Sequence, residues 1–335
     1  MTGHSPYKIS VIAMIVIVVC VAAGSAHYMA QVLRIREIDI NAYIAHSASK
    51  QHRKVILRSV LLNTGLWREW APTDKANVSI ILSRIKGRQK DAIIIVRAGN
   101  GRNVITLYEK HNGYFNYTAL VDTFDDLRDI QVMPLREQSG SLIVTRERKK
   151  NGTLKDIVYI CAYAWDEGKF QKVLNITENY KAYYNELWEE SKPPNRSNWI
   201  RVCERSDVIW ENSDAPVVHV LLHQNYSLSQ SVNQQECPDE SDFEIIRNRD
   251  VLEEYVWSGK WMHFILFEGI DRQNGEPVAV IEDLSESPYG LIGQFNKISG
   301  KFRVKYIDGT IETVEKERIK PGIEVKRTRL MYLKK

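Results

Sequence analysis

The sequence predicts a mainly β protein: antiparallel four-stranded, blade-like meanders (propeller-like or a sandwich), led by an N-terminal membrane helix and followed by a small C-terminal β barrel-like segment. Three observations predict it. An uncharged apolar run occupies residues 9–26, directly after Lys8. The turn-forming pairs Asn112-Gly113, Asn151-Gly152 and Glu167-Gly168 fall between apolar runs, where such pairs take the positive φ angles that a two-residue hairpin requires. Around these turns, apolar strand-like runs follow one another along the chain after the leading run.

The leading run sets the compartment. As a helix it is about 27 Å long at ~1.5 Å per residue, close to the ~30 Å hydrocarbon core of a bilayer. It either spans a membrane or serves as an export signal. Ala22, Ala23, Gly24, Ser25 and Ala26 place small residues where a signal peptidase needs them, with a cut before His27. Apolar character continues through Tyr28, Met29, Val32 and Leu33 to Arg34, which makes a longer helix with a basic stop at each end. The uncleaved anchor is the reading carried forward, with secretion as the alternative. If the amino terminus and Lys8 stay inside, the rest of the chain lies outside the cytoplasm. The expected division is residues 1–33 as anchor or signal peptide, 34–75 as a connecting segment, 76–268 as a β body, and 269–335 as a C-terminal β segment with a basic tail.

Oxidising chemistry then bears on Cys161, Cys203 and Cys237, the cysteines outside the leading run. At most one internal pair forms among three thiols. Cys203 with Cys237 is the expected pair, because Cys161 lies inside an apolar strand-like run, where a free cysteine behaves as a small buried hydrophobe. No spacing resembles a zinc site.

Two sets of four strands are expected, the first at residues 78–85, 91–97, 103–109 and 114–121, the second at 129–135, 141–148, 156–165 and 169–176. Ile105, Tyr108, Gly113 and Phe115 recur as Ile160, Tyr163, Gly168 and Phe170 at one offset, each set reading I-x-x-Y-x4-G-x-F. In such a unit the first strand ends in an aromatic, the glycine makes the turn, and the returning aromatic packs across the hairpin. Residues 92–96, 157–165 and 217–222 are apolar on both alternating faces, as in strands covered on two sides. Further degenerate units are expected at residues 199–232 and 243–281. Over residues 76–176 the pattern resembles the FG-GAP or VCBS-type repeats of exported β-propellers. That resemblance implies four-stranded blades packed face to face. The acidic DxDxDG calcium loop of those families has no match here, and Asn274-Gly275, inside the nearest acidic stretch, reads as a turn.

Residues 179–190 (NYKAYYNELWEE) have helical composition and are stopped by Lys192-Pro193-Pro194. Tyr180, Tyr183, Tyr184, Leu187 and Trp188 would then form an apolar stripe. Near the end of the chain, Gly300-Lys301-Phe302-Arg303-Val304-Lys305-Tyr306-Ile307-Asp308-Gly309 reads as strand and turn. Residues 291–321 are similar to Tudor-like small barrels, and the resemblance implies an aromatic cage for cationic peptides. Phe295, Phe302 and Tyr306 are the cage candidates, although Phe302, Val304 and Tyr306 also alternate as one core face of a strand would.

The search for catalytic chemistry returns little. No HExxH, GxSxG, P-loop or GxGxxG pattern occurs. His219 and His223 have the HxxxH spacing, but on a strand they stand ~13 Å apart, which does not chelate one metal. No cofactor is expected. The net charge is +4, and the charge is uneven. Residues 236–254 are acidic, whereas Lys326, Arg327, Arg329, Lys334 and Lys335 make a basic tail suited to an anionic polymer or to lipid headgroups. Nucleic acid is not an expected partner, given compartment and weak overall charge. Sequons begin at Asn77, Asn116, Asn151, Asn175, Asn195 and Asn225. The expectation is a membrane-anchored or secreted envelope protein, held to the membrane by its N-terminal helix and meeting an anionic envelope polymer or another envelope protein, that binds or scaffolds rather than catalyses. The alternative is an exported hydrolase whose acidic residues come from separate strands.

Overall fold

The structure is a computed structural model that describes residues 33–46, 49–68, 76–87, 90–98, 102–135, 140–186, 198–211, 215–232, 235–286 and 300–322. The expected membrane helix, Phe295, Asn195 and the basic residues Lys326, Arg327, Arg329, Lys334 and Lys335 lie outside the described residues. Among the described residues no helix is long and apolar enough to cross a membrane. The chain divides into two compact units, residues 1–84 with 88–123 and residues 85–87 with 124–335.

The first unit holds β1 (Ile35–Arg36), α1 (Glu37–Ala45), α2 (Lys50–Asn63), β2 (Asn77–Ser83), β3 (Asp91–Arg97), β4 (Asn103–His111) and β5 (Tyr114–Phe124). The strands form a five-stranded sheet in the order β1-β5-β4-β3-β2. Asn112 and Gly113 turn β4 into β5 with φ of 48° and 78°, the left-handed conformation that the pair favours. The two helices cover one sheet face, burying Ile40, Tyr43, Ile56, Leu57, Val60 and Leu61 against Val78, Ile94, Val96 and Tyr108. These helices occupy the segment expected to be a mere connection. In α2 the buried positions recur at helical spacing. In α1 exposed Ile38 and Ile44 interrupt the stripe, which hides the helix from a periodicity argument. Buried Asp39 joins the two helices, accepting from Arg36 Nε at 2.8 Å and lying 3.0 Å from His52 Nδ1.

The second unit begins with β6 (Asp126–Leu135), β7 (Gly140–Asn151), β8 (Lys155–Asp166), β9 (Lys169–Asn185), β10 (Asn198–Glu211), β11 (Val217–Val232), β12 (Phe243–Ser258) and β13 (His263–Ile265). They form a single sheet in the order β13-β12-β11-β10-β9-β8-β7-β6. The second expected set of four strands therefore does not end as a separate sheet: β9 runs on to Asn185 and pairs with β10. Residues 179–185, expected to be helical, are strand. Tyr180 and Ala182 are buried and Tyr184 joins the same cluster with Ile157, Ile200 and Val202. The period-two alternation of aromatics prevails over the three- and four-residue spacing because the pleated surface gives those rings neighbours on adjacent strands.

Of the register shifts in this sheet, one lies where two strands part. A bulge places Val158 opposite Asn179 but Tyr159 opposite Thr177, leaving Glu178 unpaired in the ladder. A bulge bends and twists its strand. Beyond the pair Asn179–Arg205, β9 continues beside β8 alone and β10 beside β11 alone. Just past the fork, Ser206 Oγ donates to the Thr177 carbonyl at 2.6 Å. The two arms share an apolar core in which Ala162, Ala164, Leu174 and Ile176 meet Val218, Val220, Tyr255, Trp257 and Phe264.

The rest of the unit is a five-stranded sheet of β14 (Phe267–Asp271), β15 (Pro277–Asp283), β16 (Lys301–Tyr306), β17 (Ile311–Glu315) and β18 (Ile319–Pro321), ordered β17-β16-β15-β14-β18. The last strand thus returns to the first. A Cβ at Gly269 would lie 2.8 Å from Ile319 Cγ2 and 2.9 Å from the Lys320 carbonyl, so the β14–β18 pairing requires glycine there. Phe302 and Tyr306 are 5% and 7% exposed within the core of this sheet. Phe302 stands edge-on to Phe267 at 5.5 Å and already has Lys316 Nζ 4.9 Å from its ring centre. These two rings pack as core and do not present open faces to a ligand, which corrects the cage expectation for them. Buried Asp271 accepts from Arg318 Nε at 2.8 Å, Arg318 Nη2 at 2.5 Å and Tyr306 OH at 2.7 Å. The Arg318 guanidinium holds its carboxyl well below the usual carboxylate range.

Candidate functional site on the outer face of the forked sheet

Strand alternation sorts the residues of β10, β11 and β12 onto two faces. Glu204 and Ser206 of β10, Val218, Val220, Leu222 and Gln224 of β11, and Tyr255 and Trp257 of β12 are buried on the inner face. On the outer face the register forms rows: Cys203 beside Asn225 and Asn248, Arg205 beside His223 and Asp250, Asp207 beside Leu221 and Leu252, and Ile209 beside His219 and Glu254. At the fork this face sinks into a depression of about 440 Å³, lined by Asn179, Cys203, Arg205, Asp207, His223 and Asn225.

The central strand carries both histidines, as the strand reading of the HxxxH spacing requires, and each imidazole is bracketed from both neighbouring strands. His223 Nδ1 lies 2.8 Å from Asp250 Oδ1 and its Nε2 3.5 Å from Asp207 Oδ2. His219 Nε2 lies 3.3 Å from Glu211 Oε2 and its Nδ1 3.4 Å from Glu254 Oε2. With both ring nitrogens engaged by carboxylates, neither histidine has a nitrogen directed at a hydroxyl or thiol to activate it. The imidazole of His223 also fills the space between Asp207 and Asp250, where the sugar of a two-carboxylate hydrolase would have to sit. Among the described residues no group of three or more His, Cys, Asp or Glu is placed to hold a metal ion.

Cys203 is half-buried in β10, and burial pushes its thiol up, away from the reactive thiolate. Cys237 lies in the loop before a short turn at Glu240–Asp242. That turn is drawn onto the sheet by an ion pair from Lys181 to Glu240 and by Arg201 Nη1 donating to the Glu240 carbonyl at 3.2 Å. Lys181 is the cross-strand neighbour of Cys203 and acts on both thiols. The expected Cys203–Cys237 pair is not bonded in the structure, where both cysteines are free thiols. Cys161 sits elsewhere, fully buried, donating to Asn175 Oδ1 at 3.1 Å. Nearby Glu147 accepts from Thr145 Oγ1 at 2.8 Å and Tyr163 OH at 2.9 Å, a satisfied buried network.

Beneath the depression, Glu204 is 3% exposed. It accepts from Gln224 Nε2, and the Gln224 amide oxygen in turn accepts from Arg249 Nε at 2.5 Å. Burial pushes the Glu204 carboxyl up to about 7. Sequence reasoning missed both this acid and the fork. The available signal was the stretch from Val202 to Glu211, where charged or polar residues occur on both alternating faces, Glu204 and Ser206 on one and Arg205, Asp207 and Glu211 on the other, an unusual pattern for a strand with one buried face.

Comparison with protein-family models and with curated proteins finds no match to this chain.

Proposed function

We propose that this chain is a membrane-anchored or secreted cell-envelope protein, propeller-like in its repeats and carrying a Tudor-like small barrel, that binds or scaffolds rather than catalyses. One observation carries the reading: the depression at the fork is open, assembled from three strands, lined by polar side chains of both charges, and has no activated nucleophile among the described residues. Polar groups at a concave surface fix the orientation of a bound partner. The recurrence of the I-x-x-Y-x4-G-x-F unit supports the repeat resemblance, and the return of β18 to β14 supports that of a small barrel. The apolar run after Lys8 supports export, and the basic tail supports an additional contact to an anionic envelope polymer.

Co-sedimentation of the purified protein with isolated envelope material tests the reading. Substituting Arg205→Ala together with Asn225→Ala is expected to lower the bound fraction at least roughly 3-fold, on the order of two lost exposed polar contacts. Unchanged binding in that variant would remove the fork from the binding surface. A mature amino terminus at His27 would convert the anchored form of the proposal into the secreted one.

A further inference from the structure

The fork leaves part of β10 with an open edge in the middle of a large sheet. Residues 199–205 are paired on both sides, to β9 and to β11, whereas residues 206–211 are paired to β11 only. Among the described residues no other backbone hydrogen bond reaches residues 206–211. Unpaired backbone N–H and C=O groups along an edge are a template for another strand, and proteins usually blunt such edges with charged side chains, Lys above all, with Pro or with a bulge. The stretch Ser206-Asp207-Val208-Ile209-Trp210-Glu211 has no proline, glycine or lysine, and its pairing to β11 is regular throughout.

The side chains along this edge say what would pair with it. Ile209 is 65% exposed, flanked on the same face by Asp207 and Glu211, whose side chains are 55% and 62% exposed. Asp250 and Glu254 lie two strands away on the same face. An incoming strand would therefore place basic side chains opposite Asp207 and Glu211 and an aliphatic one opposite Ile209, since opposite charges and apolar pairs directly across a ladder are favourable. A second copy of this chain is a poor occupant. Pairing the edge with itself about a two-fold axis at Ile209 sets Asp207 against Glu211, and like charges directly opposed are destabilising.

We propose that residues 206–211 of β10 receive an extended segment of a partner protein, with a basic–x–aliphatic–x–basic pattern, as an added strand. Main-chain hydrogen bonds supply the attachment and the alternating side chains the selectivity. The proposal rests on the binding reading above and names its partner class.

The probe is a fluorescently labelled heptapeptide, Thr-Lys-Thr-Val-Thr-Lys-Thr, titrated into the full-length protein with anisotropy as readout and amide exchange to locate the contact. Binding is expected to slow exchange within residues 206–211. It is also expected to weaken at least roughly 5-fold in the double variant Asp207→Asn with Glu211→Gln, with Glu in place of Lys in the peptide, or with alternate peptide amides methylated. Equal affinity in the double variant or for the methylated peptide would overturn the proposal, as would a concentration-dependent dimer abolished by Ile209→Lys. Envelope co-sedimentation separates the two levels. If it persists unchanged in the double variant while the peptide fails to bind wild type, the added strand falls and the binding reading stands; if wild type itself does not co-sediment, the binding reading falls.

Discussion

Glu204 concentrates the physical cost of placing polar groups under a sheet. Among the described residues its direct side-chain partner is neutral Gln224, and Arg249 reaches it through that amide, so burial dominates and pushes the carboxyl from its ordinary 4.5 up to about 7. The sign follows from linkage. The native state holds the proton to higher pH than the unfolded chain, so stability falls as pH rises from about 4.5 to about 7 and is level above. Glu204→Gln keeps the acceptor for Gln224 and removes the titration. It is expected to be more stable than wild type at pH 8 by up to about 3 kcal/mol and equal to it near pH 4, measured by urea unfolding at both. His263 has the opposite slope. Buried, with Nδ1 2.8 Å from the Phe264 carbonyl oxygen, its ring is pushed down to about 4, so it costs stability as pH falls from 6.5 to about 4. Removing Glu204 is therefore expected to expose that acid-side loss, and an unchanged pH profile in Glu204→Gln would show that the carboxyl is not the buried group responsible.

At the scale of elements, the turns at Asn112-Gly113 and Glu167-Gly168 and the strands they join were readable in advance because their signals are local, whereas Asn151 stays in β7 opposite Lys155 and the turn there runs over residues 152–154. Glu167-Gly168 adopts φ of 44° and 89° between β8 and β9, and residues 92–96 are buried on both faces, each from chemistry confined to a few residues. What was not readable depends on partners distant in sequence. Tyr180, Tyr183 and Tyr184 fit a helical stripe equally well until β8 and β10 lie on either side of them, and the amphipathic face of α1 is too short to declare itself. Phe302 and Tyr306 kept two meanings in the sequence, cage or core, and their burial with Phe267, Val278, Val304 and Ile319 decides for core. The seating of β18, which carries Ile319, depends on Gly269. Gly269→Ala is expected to destabilise by about 1–3 kcal/mol, the usual cost of overpacking, because neither Ile319 nor the Lys320 backbone can retreat without breaking the β14–β18 ladder. A thermal melt indistinguishable from wild type would mean that β18 is not seated there in solution.

Across the whole molecule, the mainly antiparallel architecture was foreseeable from composition and turns, but the division into sheets was not. The eight strands from β6 to β13 run as one sheet, and β9 and β10 part beside a bulge at Glu178 that no local pattern announces. The fork creates the candidate site, for without it β10 would be paired along its length and residues 206–211 would have no open edge. The central claim is that this edge is available for a partner. Amide-resolved hydrogen exchange on the free protein tests it most directly. Every second amide within residues 206–211 is expected to exchange at least ~100-fold faster than the paired amides of residues 199–205, reflecting an open edge rather than a closed ladder. Uniform protection from residue 199 through 211 would contradict the account, since it would mean that the edge is already covered.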